Sequence, residues 1–380
     1  MDSKLLEICW KKHNKELDIS WNDLAEEWGF SSGETLRCTF KKYRQKNGLI
    51  DKADINTENK LDEIDLKNIE LQKTKIRLQD TKTKFNQLVR ENARKEEIFE
   101  LIEKAILEVS ESKPLISVNP IIRKTNKTGL LQLSDWHYSI VANNFLNTYN
   151  TKVFDKRINE IIDRAIEYGE LYEIEELYVL LQGDFISSGI HNILRIQNQE
   201  DIITQIIKTS EVLAEILNEL SSHFKIKVSL VTDNHSRVTP DKKDSLEEEN
   251  YIRITEWYLK TRLGSNKNVK FIENECGLDI STFNVYNFNC GSIHGDKDSF
   301  KHVVSNITTF TRQIYDIIFT SHNHHLNIEE LSMVTVVSNG SLSGVDAYSA
   351  DLRLSSHPSQ NLVVVSKERG LEHICPIRVK

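Results

Sequence analysis

The sequence predicts an α/β protein: a two-sheet sandwich flanked by helices over residues 128–380, preceded by a small all-α unit and a long helix. Three observations carry this. From Thr128 onward, short apolar runs alternate with helix-length amphipathic stretches. Between Gly48 and Pro114 there is neither glycine nor proline, and charged and amide residues dominate. The first 50 residues hold short helical patterns separated by a glycine-containing turn.

Residues 1–50 are expected to form the all-α unit. Leu5, Leu6, Ile8 and Cys9 start one helix. Ser20 can cap a second, with Asp23 in place of the usual glutamate of a capping box. Trp21, Leu24, Ala25 and Trp28 supply its apolar face. Gly29 to Gly33 break it, and a third helix runs to about Lys46, stopped by Gly48. Helix, short glycine turn, helix is the pattern of a helix-turn-helix. The third helix carries Arg37, Lys41, Lys42, Arg44 and Lys46, with no acid between Leu36 and Lys46. These five are the expected DNA contacts, Arg37 at a base edge and the others on phosphates. The competing reading is a helical unit that packs its tryptophans without touching DNA.

Residues 51–113 are predicted as one long helix or coiled-coil segment. Apolar residues recur every seven positions at Ile64, Leu71, Leu78, Phe85, Phe99 and Ile106, interrupted by Asn92. The complementary positions include Asn68, Lys75 and Lys82. The segment therefore either pairs two copies into a dimer or is a solvated spacer. Residues 114–127, with two prolines, read as a linker. Strands are then expected at 130–133, 177–181, 226–231, 269–272, 280–290, 316–320, 333–338 and 361–366. Helices are expected at 152–173, 199–222 and 245–262.

Charge and cysteine usage bound the function. A net charge of −8 over 380 residues excludes a uniformly basic nucleic-acid coat but not a local basic patch. The five cysteines are scattered without a CxxC, which argues against a disulfide framework or a thiolate zinc site and favours a reducing cytoplasm. No apolar run approaches a membrane span, and the first residues have no leader-like apolar region.

Seven residues point to chemistry: Asp135, His137, Asp184, Asn234, His294, His322 and His324. Most follow the end of an expected strand, where α/β sheets place their sites. Carboxylate, amide and imidazole together suit hard or borderline divalent cations such as Mn²⁺, Mg²⁺, Fe or Zn²⁺. Two such ions about 3.5–4 Å apart clamp a phosphoryl group and activate a water for attack on phosphorus. One carboxylate must then bridge the ions, and an aspartate at a strand tip can do so.

The series DWH, GD, NH, HG and HNH, in this order over residues 128–380, resembles the calcineurin-like metallophosphoesterase superfamily, including its SbcD-type nucleases and phage-encoded members. The resemblance implies a two-metal phosphodiesterase, with Mn²⁺ the first choice of metal. It places Asp135, His137, Asp184 and His324 on one ion, and Asp184, Asn234, His294 and His322 on the other. It makes His235 the catalytic imidazole that assists the leaving oxygen. Asp233 and Ser321 stand where the family usually has glycine, whose freedom allows a tight turn; aspartate tolerates left-handed dihedrals better than most residues. Ser236 stands where SbcD-type nucleases carry an acid. Arg237 and Arg353 offer planar forks suited to substrate phosphate, alongside a structural role. His191 either contacts phosphate or caps its turn.

The preferred function is a DNA nuclease in a bacterial cytoplasm, the host's if the chain is phage-encoded. The alternatives are a phosphatase or phosphodiesterase for nucleotides or other small phosphoesters, and a catalytically degenerate DNA-binding regulator. A partner ATPase is raised by the likeness to SbcD alone; this chain has no Walker-type loop.

Overall fold

The computed structural model describes residues 1–49, 52–112, 115, 118, 120, 125–190 and 192–380. The chain divides into two compact units, Met1–Arg94 and Lys95–Lys380. The first contains α1 (Ser3–His13), α2 (Trp21–Glu27), α3 (Gly33–Lys46) and most of α4 (Lys52–Ser112). The capping box expected at Ser20 is present: Ser20 Oγ accepts from Asp23 N, and the Asp23 carboxylate accepts from Ser20 N. Leu5, Cys9, Leu24, Ala25, Leu36 and Phe40 make a small core, edged by Trp10, Trp21 and Trp28. In α4, Leu71, Leu78 and Phe85 of the seven-residue series are 57 %, 67 % and 64 % exposed. Ile64, Phe99, Ile106 and Asn92 have side chains outside the described set.

The second unit continues with β1 (Lys127–Leu133), β2 (Ala142–Asn143), β3 (Thr148–Tyr149), α5 (Thr151–Leu171), β4 (Glu176–Leu181), α6 (Asn192–Gln197), α7 (Ile202–Ser221), β5 (Lys225–Leu230), α8 (Ile252–Arg262) and β6 (Val269–Phe271). It is completed by β7 (Ile280–Val285), β8 (Phe288–Ile293), α9 (Val303–Thr311), β9 (Ile317–Thr320), β10 (Asn327–Leu331), β11 (Val334–Ser338), α10 (Ala347–Asp351), β12 (Ser359–Ser366) and β13 (Gly370–Arg378). One sheet has the order β13-β12-β1-β4-β5-β6, with β1, β4, β5 and β6 parallel. The other has the order β10-β11-β9-β8-β7, with β8, β9 and β11 parallel.

Strand periodicity explains the layering. Leu131 and Leu133 face the α5–α7–α8 side with Leu177, Val179 and Leu181. Leu130, Tyr178 and Leu180 point the other way and pack with Val285, Cys290, Ile317, Phe319 and Val337 of the second sheet. Ile293, Ile318 and Val336 form a third cluster with Val303 and Ile307 of α9. The result is a two-sheet sandwich with helices outside.

Several expected elements are corrected. The helix expected at 245–262 starts at Ile252, because Asn250 pairs with Arg237 in an isolated bridge and Val238 N donates to Glu249 O. The strand expected over 280–290 is a hairpin, β7–β8, turned at Tyr286-Asn287 with Tyr286 at φ 55°. Without a glycine that turn gave no signal. Strand β13 was not expected because Pro376 interrupts its pattern. It lies at the sheet edge, where a missing N–H is tolerated.

Candidate metal centre

Five strand ends deliver the centre. β1 is followed by Asp135 and His137, β4 by Asp184, β5 by Asn234 and His235, β8 by His294, and β9 by His322 and His324. Asp135, His137, Asp184, His322 and His324 all hold φ between 43° and 69°. Left-handed backbone is sparse for such residues and clusters at functional sites. Trp136, fully buried against Phe154 and Phe185, anchors the turn that presents Asp135 and His137. Gly183 (φ 89°) precedes Asp184, and any side chain there would collide with Asp233.

The seven side chains converge. Asp135, His137 and His324 form one potential ligand group, and Asp184, His294 and His322 another, with donor atoms in each within 4.8 Å of one another. His137 Nε2 lies 3.0 Å from His324 Nε2 and 3.9 Å from Asp184 Oδ2; His324 Nε2 lies 3.5 Å from Asp135 Oδ1. On the other side His294 Nε2 is 2.8 Å from Asn234 Oδ1, 3.1 Å from His322 Nδ1 and 3.3 Å from Asp184 Oδ2. Asp184 thus lies between the two groups. His235 makes a third group with His137 and Asp184, its Nε2 3.9 Å from Asp184 Oδ2.

The donor set fits divalent cations. Asp135 Oδ1 is buried without a hydrogen-bond partner, while Oδ2 accepts from Ser134 Oγ at 2.7 Å. A buried carboxylate oxygen left bare is costly unless a cation satisfies it. His294 Nδ1 donates to Gln182 O at 2.7 Å and His235 Nδ1 to Ser187 O at 2.9 Å. A carbonyl only accepts, so Nδ1 carries a proton in both rings and Nε2 is the atom turned toward the centre. Burial, and then charge on His235, drive His137 well below the usual imidazole range, into its neutral, ligand-competent form. Burial and His294 lower His322 as well. For Asp184, burial raises the pKa, but His294 and His235 outweigh it and hold the carboxyl well below its usual range. For His294 burial also opposes charge, yet Asp184 prevails and raises it to about 10. A cation would replace that proton.

Asp233 and Ser321 do not occupy left-handed backbone, contrary to the expectation that these positions need it. Both are buried supports. Asp233 accepts from Ser236 N at 2.6 Å and Ser236 Oγ at 2.8 Å, which closes the turn carrying Asn234 and His235. Burial and the Asp184 carboxylate push Asp233 up to about 7. Ser321 Oγ donates to His294 O at 2.8 Å.

Other expected site residues fall differently. Arg237 is half-buried, its Nε without a partner. Arg353 is exposed on a loop that Ser356 ties to His324, Oγ to O, at 2.8 Å. His191 lies outside the described residues. Arg37, Lys41, Lys42 and Lys46 are exposed on α3. Arg44 corrects the expectation of a phosphate contact. It is 6 % exposed, its Nε donates to Leu49 O at 3.1 Å, and its guanidinium stacks over Trp10 and Phe40.

Sequence reasoning missed the amide layer beneath the centre. Gln132 Nε2 donates to Gln182 Oε1 at 2.9 Å and Gln182 Nε2 to Ile293 O at 2.9 Å, which ties the sheets together. Asn361 Nδ2 reaches Ser338 O at 3.2 Å, and Asn339 Nδ2 holds Ser134 Oγ at 2.9 Å, the hydroxyl that positions Asp135. The signal was a glutamine in each of LLQL, LLQGD and PSQNL, polar residues inside otherwise apolar strand ends.

The fold and site define a mixed α/β protein with a candidate metal centre at its strand ends. No protein-family model matches the chain. An uncharacterised protein, YonJ, derived from the SPbeta prophage of Bacillus subtilis strain 168, is 27 % identical over 382 residues, 96 % of this chain and 93 % of the relative. Similar solved structures include an archaeal phosphodiesterase (13 % identity, 66 % of this chain and 99 % of that one, TM-score 0.33). Vacuolar Protein Sorting 29 from Cryptosporidium parvum is another (12 %, 67 % and 100 %, TM-score 0.35). A predicted phosphoesterase from Streptococcus pneumoniae is a third (7 %, 67 % and 99 %, TM-score 0.27). Likeness at these values is no basis for assigning an activity.

Proposed function

We propose that this chain is a two-metal-dependent phosphodiesterase acting on DNA. The observation that carries the reading is Asp184, a buried carboxylate shared between two imidazole-rich ligand groups. Asp135, His137, Asp184 and His324 would hold one ion, and Asp184, Asn234, His294 and His322 the other. Bound divalent cations, Mn²⁺ foremost, would supply positive charge to a phosphoryl group and acidify a neighbouring water. The chain's own part is orientation and proton handling. His235, fixed by Ser187 O and by its own N–H to Asp184 Oδ1 at 3.1 Å, turns Nε2 to the centre. When protonated there, it donates to the departing oxygen. Arg237 and Arg353 would hold the substrate phosphate by their planar forks.

DNA is preferred because α3 exposes Arg37, Lys41, Lys42 and Lys46. The apolar series on α4 would pair two copies, raising the effective concentration of two active sites on one duplex. The prophage origin of the relative favours a phage-encoded enzyme working in a bacterial cytoplasm; among the described residues no helix is long and apolar enough to cross a membrane.

The test is incubation of the full chain with Mn²⁺ and either end-labelled DNA or bis-p-nitrophenyl phosphate. Cleavage of both, lost in His235→Ala, is expected. Turnover of the small ester with DNA left intact would transfer the activity to small phosphoesters. No turnover of either, with DNA still bound, would leave a regulator.

A further inference from the structure

The middle of α4 is, after α3, a second strongly basic stretch of the chain. Between Lys67 and Arg90 there are seven lysines and arginines against two acids, Glu70 and Asp80, in a protein of net charge −8. Every residue from Lys67 to Gln87 is exposed, as are Val89 and Arg90. No ion pair engages Lys73, Lys75, Arg77, Lys82 or Lys84 among the described residues, whereas lysines elsewhere on helices do pair, such as Lys11 with Glu7 and Lys260 with Glu256.

The spacing orders this charge. At about 100° per residue, Lys73, Arg77 and Lys84 fall within roughly 40° of one another on one face. Lys75 and Lys82, one heptad apart, border the stripe of Leu71, Leu78 and Phe85. The whole stretch spans about 35 Å at 1.5 Å per residue, close to one turn of duplex. An isolated helix gains nothing from uncompensated like charge along its length. A polyanion with regularly spaced phosphates compensates it and releases counterions in doing so.

We propose that residues 67–90 of α4 are a second, sequence-independent nucleic-acid-binding surface, which grips the phosphate backbone of DNA separately from α3. This rests on the reading of the chain as acting on DNA, but not on its catalysis. The lysines bordering the apolar stripe also bear on self-association. Pairing two parallel copies in register sets Lys75 against Lys75 and Lys82 against Lys82 of the other copy, and bound phosphates would relieve that repulsion.

The test uses the full chain and the variant K73Q/K75Q/R77Q/K82Q/K84Q, whose glutamines keep helix propensity. Binding to a labelled 30-base-pair duplex of arbitrary sequence is measured by anisotropy in EDTA across about 50–200 mM salt, with helicity checked by circular dichroism. The expected result is at least about ten-fold weaker binding at 100 mM salt and a log–log salt slope reduced by roughly 3–4, at about 0.9 for each phosphate that is no longer neutralised. Unchanged hydrolysis of bis-p-nitrophenyl phosphate is expected beside it. If neither protein hydrolyses the ester but the affinity difference persists, the catalytic reading fails and this surface stands. Equal affinity and slope for the two proteins would overturn the surface, as would a variant altered only in sedimentation, or a wild-type chain that binds no duplex.

Discussion

Asp184 Oδ2 lies 3.3 Å from His294 Nε2 and 3.9 Å from the Nε2 atoms of His137 and His235, so both ligand groups depend on one carboxylate. Asp184→Asn should lower metal content from two ions to at most one per chain by elemental analysis; a variant that keeps two refutes the bridging role. His235→Ala removes no member of the two proposed ligand sets. It should keep its metal while turnover drops about 10²–10⁴-fold, the usual span for a missing general acid. Loss of metal in step with activity would make His235 a ligand instead. Arg44 belongs to the packing of its unit. Arg44→Ala should cost that unit about 1–3 kcal/mol in urea melts, because it removes the stacking on Trp10 and Phe40 and frees the Leu49 carbonyl. Unaltered stability with weakened DNA binding would restore Arg44 to the phosphate contacts.

Strand ends explain why the candidate ligands were legible and the amides were not. Asp135, Asp184, Asn234, His294 and His322 each stand one to four residues beyond an apolar run, a pattern visible without coordinates. Gln132 and Gln182 sit on the same runs but face the other sheet, and only the pairing of β1 with β4 and of β8 with β9 shows what they touch. Gln182→Leu should therefore destabilise the second unit by about 1–3 kcal/mol, because it leaves Gln132 and the Ile293 carbonyl short of a partner. An equal or higher melting point would mean that the amide layer holds the sheets no better than apolar packing. Hairpin β7–β8 and strand β13 escaped prediction for local reasons, a turn without glycine and a proline at an edge.

Over the whole molecule, metal uptake and stability are linked. Ions that bind only the folded chain stabilise it by about 2.7 kcal/mol at a hundred-fold excess over Kd. Mn²⁺ should raise the melting temperature and EDTA should reverse it; no response would exclude a built metal site. Because Asp184 raises His294 to about 10, a cation must displace a proton there. Apparent affinity should climb with pH between about 6 and 9, by up to ten-fold per unit for one proton, and a flat profile would show that His294 is not a ligand. Composition, periodicity and residue order were enough to indicate the α/β class and the cap at Ser20 and to single out the seven candidate ligands. These are local signals written by side-chain chemistry and helix or strand period. The hydrogen bonds from Ser236 to Asp233 that close the turn, the burial of Arg44 and the amide layer joining the sheets were decided by tertiary structure alone. Each depends on which residues, near or distant in sequence, the packed core brings within hydrogen-bond reach.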